Sequence, residues 1–188
     1  MQNCTKRIKA GVRPAICAIL ELSLAVPRMG WFFQMSIECG NDERLARAVA
    51  AHFEGYSFMI TEASSSTCAT GIIVDADQNR WVIISPSGLS TSGISTKDDA
   101  HEMTLAGRHL YARLHSSPPF RYAIAGVESE GFRSFTELKQ LESSLFSRLN
   151  GLVLSVGVWE TLGQPAGFVE FRTDYLWRPY LGESLPSH

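Results

Sequence analysis

The stretch "TGIIVDADQNRWVIISPSG", Thr70 to Gly88, sets two β-branched apolar runs on either side of a polar loop, Asp75 to Asn79. Branched side chains favour extended backbone, and a short polar loop between two such runs marks a β-hairpin. A hairpin makes its strands antiparallel neighbours, so the strict strand–helix alternation of a parallel sheet is excluded here.

On the N-terminal side, "WFFQMSIE" from Trp31 is rich in strand formers and is stopped by "CGNDE". Asn41 is placed as a helix N-cap with acids in the first turn, and Leu45, Ala48, Val49, His52 and Phe53 share one face at helical spacing. "YSFMITEA" then reads as a strand leading towards the hairpin. On the C-terminal side, Thr96 with Asp99 resembles a capping box that opens a helix to about Leu114, ended by "SPPF". "RYAIAGVE" is a strand, and Ser134 with Glu137 opens a helix that Asn150-Gly151 closes. "LVLSVGVW" and "GFVEFR" are the last strands. The expected fold is α+β, a mixed or mostly antiparallel sheet with two or three packed helices, in the order (α)-β-α-β-β-β-α-β-α-β-β.

With 45% apolar and 19% charged residues over 188 positions, the chain can bury a core and falls outside the disordered regime. Residues 1–28 are set apart as an N-terminal appendage and 29–188 as a single domain. The basic start and apolar run from Ala15 to Val26 outline a secretory leader crudely, against which stand Glu21, Pro27 and Arg28. That run is too short to span a bilayer as a helix, so no membrane association is expected.

The formal net charge of -2 gives no global pull towards phosphate backbones. Arg108, Arg113, Arg121 and Arg133 are interspersed with Asp98, Asp99, Glu128 and Glu130, which disfavours nucleic acid as a partner. Cys4, Cys17, Cys39 and Cys68 are widely spaced and show no zinc pattern, so they read as reduced thiols of a cytoplasmic protein.

Chemical motifs fail at defining positions. "DADQN" imitates the start of a calcium loop, but Arg80 stands where its glycine belongs and Pro86 where its glutamate belongs. "GLSTSG" lacks the glycine spacing of a nucleophile elbow, and Cys68 has no neighbouring cation to lower its thiol pKa. No metal and no cofactor is expected. His101 and His109 fall opposite the Met103, Leu110 and Leu114 face and are read as solvated, whereas His52 rides with an apolar stripe.

"FRTDYLWRPYLGE", Phe171 to Glu183, is the stretch richest in recognition chemistry. Tyr175, Trp177, Arg178 and Tyr180 are the candidate binding residues, since Tyr, Trp and Arg dominate interface hot spots. The same side chains could instead pin a tail to a core. The leading expectation is a small cytoplasmic protein that acts by surface recognition of a protein partner, in the style of bacterial immunity or antitoxin proteins, with a homodimer as one arrangement. The alternative is a hydrolase or transferase with a dispersed His/carboxylate site that combines His52 as base with Asp174, Arg172 or Glu170.

Overall fold

The hairpin closes as its sequence dictates. Asp75 N–H donates to the Asn79 carbonyl (2.9 Å), and Asp75 Oδ1 accepts from Asn79 N–H (2.9 Å). Asp75 Oδ2 accepts from the Trp81 indole (2.9 Å), while Gln78 takes the left-handed backbone position. Both carboxylate oxygens of Asp75 therefore serve the turn, which accounts for the calcium-like spelling. A computed structural model describes residues 32–127, 129 and 134–185. The appendage 1–28 and Arg133 lie outside those residues.

The elements are β1 (Phe33–Glu38), α1 (Glu43–Phe53), β2 (Ser57–Thr61), β3 (Ser64–Val74), β4 (Arg80–Pro86), α2 (Lys97–Leu114), β5 (Tyr122–Val127), α3 (Phe135–Lys139), a 3-10 helix (Ser143–Arg148), β6 (Val153–Ser155), α4 (Val156–Thr161), β7 (Val169–Arg172) and β8 (Tyr175–Trp177). The strands form one eight-stranded antiparallel sheet in the order β2-β3-β4-β1-β5-β6-β8-β7. This is the expected α+β class.

Local chemistry moves several boundaries. Asp42, not Asn41, caps α1, its carboxylate accepting from Arg44 and Leu45 N–H. The serine run before Cys68 belongs to β3, where Ser66 is buried and its hydroxyl donates to the Ser87 carbonyl (2.8 Å). The helix opened by the Ser134–Glu137 box stops at Lys139 and gives way to the 3-10 turn. "LVLSVGVW" is a strand only to Ser155, whose hydroxyl then accepts from Val158 N–H and opens α4.

The sheet is covered on both faces. Phe33, Met35 and Ile37 of β1, with Val82, Ile84, Ala123 and Ala125, face a core closed by α1 and α2. Trp81, Ile83, Tyr122 and Leu154 face a second core with Leu138, Phe146 and Val158. Sequestering side chains the size of Leu110 and Leu114, both wholly buried, contributes about 1.5–3 kcal/mol each. Among the described residues, no helix is long and apolar enough to cross a membrane.

Because β1 is central, its alternate residues Gln34, Ser36 and Glu38 are buried although polar. Gln34 donates to the Ser85 hydroxyl (2.9 Å) and Ser36 to the Ser129 carbonyl (2.8 Å). Glu38 is fully buried and accepts from Arg121 Nη1 (3.1 Å), while its other oxygen has no partner among the described residues. Loss of hydration outweighs Arg121 there, and the Glu38 carboxyl is pushed up to about 7.

Candidate functional site

Helix α2 starts at a reciprocal cap: Asp99 N–H donates to Thr96 Oγ1 (3.1 Å), and Thr96 N–H donates to the Asp99 carboxylate (2.8 Å). With the helix phase set, Arg108, Tyr111, Ala112, His115 and Ser116 fall along one stripe at the C-terminal end. Tyr111 points inward, buried, and its hydroxyl accepts from Ala125 N–H (2.8 Å). Arg108, Ala112, His115 and Ser116 stay exposed.

Facing that stripe is the β7–β8 hairpin, turned at Asp174 with φ of 65°, a left-handed conformation that Asp tolerates through its short polar side chain. Arg172 fastens the hairpin to the end of α2. Its guanidinium donates to the carbonyls of His115 (3.0 Å) and Ser117 (2.7 Å) and lies 4.3 Å from the Tyr175 ring. The Tyr175 hydroxyl accepts from Phe120 N–H and donates to Phe120 C=O, both at 2.8 Å.

Beyond β8 the tail crosses α2. Tyr180 lies over Gly107, where an added Cβ would stand 2.6 Å from its ring. The Tyr180 hydroxyl donates to Glu183 (2.8 Å), and Glu183 N–H donates to Thr104 Oγ1 (2.8 Å).

Between stripe and hairpin lie two cavities. The first, about 710 Å³, is lined by His115, Ser117, Glu170, Arg172, Asp174 and Tyr175 among others. The second, about 530 Å³, has Arg108, His115 and Glu170 at its margin and Tyr111, Phe171, Trp177 and Tyr180 as its floor. His115, Glu170 and Phe171 line both, so they are two parts of one groove. The floor is a continuous ring cluster: Tyr111–Trp177 at 5.6 Å, Tyr111–Tyr180 at 5.1 Å and Phe171–Trp177 at 5.1 Å between centroids.

The candidate residues separate on this geometry. Tyr175 is buried and serves as a strut at the wall of the larger cavity, while Trp177 and Tyr180 are half-buried and line the smaller. Arg178 lines neither and directs Nη1 at the Ala166 and Gly167 carbonyls (3.4 and 3.5 Å). Arg172 and Asp174 share the larger cavity, but His52 lines neither. The His52 ring bonds the Arg113 carbonyl (3.0 Å), and Arg113 donates back to the His52 carbonyl (2.6 Å), which ties α1 to α2. His109 is half-buried rather than fully solvated; it stacks on Phe58 at 4.7 Å because β2 lies against that side of α2. Burial and Glu54 push the Cys68 thiol up to about 11, away from thiolate chemistry. His115 is the groove residue that sequence reasoning missed; Arg108, Glu170 and Phe171 were legible only in other roles, as a scattered base, a carboxylate of the dispersed site and the first residue of the recognition stretch, because the four meet only when α2 and β7 are brought together.

No protein-family model, curated protein or solved structure matches the chain.

Proposed function

We propose that the protein acts by recognition of a protein partner, received in the groove between α2 and the β7–β8 hairpin. The observation that carries this reading is the pair of joined cavities sharing His115, Glu170 and Phe171, with an aromatic floor and charged groups at the margin. Rings already packed against one another lose little freedom when covered, so most of the gain from expelling water is retained as affinity. The free, buried thiols of Cys39 and Cys68 fit a cytoplasmic setting.

Against the dispersed His/carboxylate alternative, His52 bonds Arg113 and lines neither cavity, and the Arg172 guanidinium is engaged by backbone carbonyls.

The test is site-specific photo-crosslinking in a lysate of the source cells. A photoreactive side chain in place of the groove residue Ala112 should give a protein adduct, and one in place of the exposed α1 residue Arg47 should not. Trp177→Ala should abolish the adduct at 112. Equal adducts at both positions, or indifference to Trp177→Ala, would refute recognition in this groove.

A further inference from the structure

Strand β7 is the outer margin of the sheet: it pairs with β8, and no strand covers its other side among the described residues. Arg178 N–H donates to Leu152 C=O and Val156 N–H to Asp174 C=O, so the even-numbered peptide groups of β8 point to β6. Tyr175 and Trp177 therefore point to β7, where their partners are Arg172 and Val169. By the same alternation the N–H and C=O of Glu170 point outward, away from the sheet. Near the opposite margin, where β3 runs on past the end of β2, Glu54 accepts from Thr70 N–H (2.9 Å) and occupies the uncovered edge, whereas Val169 and Glu170 are exposed and carry no such guard among the described residues.

This open edge bounds the groove. In an even strand, consecutive residues face opposite ways, yet Glu170 and Phe171 line both cavities. The register slip between Glu170 and Arg172 is the cause, since a bulge re-aims the residue it adds. The larger cavity is lined by two carboxylates, Glu170 and Asp174, which take part in no ion pair among the described residues, against one guanidinium, Arg172, whose charge remains but whose donors are turned to backbone carbonyls.

We infer that the partner enters as an extended segment added along the outer edge of β7, with a bulky apolar side chain in the aromatic cavity and a lysine or arginine beside Glu170 and Asp174. An extended chain between an edge strand and a helix gains backbone bonds from the strand and side-chain selectivity from the cavities. The two anchoring residues project to the same side of the segment, so they stand at even spacing along it. This rests on the groove reading above and supplies its mode and chemistry.

The probe is a phage-displayed library of random peptides of about ten residues, selected on the full chain, with binding of the enriched peptides measured by fluorescence polarisation. Enriched peptides should pair an aromatic or large aliphatic residue with a basic one at even spacing. Glu170→Pro removes an outward N–H, which an edge strand tolerates, together with the carboxylate, so the circular dichroism should persist while affinity falls about tenfold or more. Glu170→Ala keeps the N–H and should cost less, with loss of the preference for a basic residue. N-methylation of the peptide should abolish binding at alternate amides and spare those between; this readout stands even where Glu170→Pro unfolds the chain.

Full affinity for Glu170→Pro, or tolerance of N-methylation at every amide, overturns strand addition. Absence of any enriched peptide overturns it too; if the crosslink at 112 still forms, recognition in the groove survives and only its mode is wrong. Loss of both readouts removes the groove reading itself.

Discussion

A single hydroxyl on Tyr175 satisfies both backbone groups of Phe120, accepting from its N–H and donating to its C=O at 2.8 Å each. Both partners are buried. Tyr175→Phe keeps the ring but strands two polar groups away from water, so it should lower stability by about 1–3 kcal/mol. The denaturant midpoint reads this out; an unchanged midpoint would mean that the strut carries no load.

Glu38 makes stability fall as pH rises. Its folded-state carboxyl titrates near 7 against 4.5 ordinarily, with Arg121, Asp75, Asn79 and Tyr122 around it. The folded chain therefore holds the proton more tightly than the unfolded one. This contribution is fully present below pH 4.5, is lost as pH climbs through about 7, and then levels off. Glu38→Gln should flatten that slope in urea titrations run across the range. A slope of the same size in the variant would place the titration elsewhere.

Gly107 is the seat of Tyr180. Gly107→Ala puts a methyl group into the ring, so either the tail lifts or the helix shifts, at a cost of about 1–3 kcal/mol. In a Tyr180→Ala background the same change should cost little, because the clash is gone. A cost that persists without Tyr180 would trace the glycine requirement to something other than the tail.

His52 holds α1 to α2 and takes no part in the groove. His52→Ala should reduce stability by about 0.5–1.5 kcal/mol and leave crosslinking at 112 intact. If it abolished the adduct while the fold survived, His52 would be a recognition residue after all.

The features legible in the sequence are those with a local cause. Two capping boxes, Thr96–Asp99 and Ser134–Glu137, form as their spacing implies, and so does the loop closed by Asp75. Asp42 displaces Asn41 because its carboxylate reaches two amides, a difference in reach that residue type alone does not reveal. The three-residue strand Tyr175–Trp177 has no periodicity to detect; its register comes from Val153–Ser155 on one side and β7 on the other.

The candidate site was half visible. Trp177 and Tyr180 were singled out by residue type, since aromatics near an arginine carry contact energy wherever they are exposed. What that reasoning could not supply is the opposite wall. Arg108 reads only as one scattered base, and Ala112 and His115 carry no signal, until the hairpin held by Arg172 is laid against them. Phe171 and Glu170 reach the groove together only through a register slip that no residue pattern announces.

The order β6-β8-β7 seats Tyr175–Trp177 inside Val169–Arg172, although it follows that strand in the chain. Val169–Arg172 is therefore held in the sheet only through Tyr175–Trp177, which itself hangs on Val153–Ser155. Whatever loosened that three-residue strand, the loss of the Phe120 bonds above all, would cast off the outer margin and one wall of the groove with it.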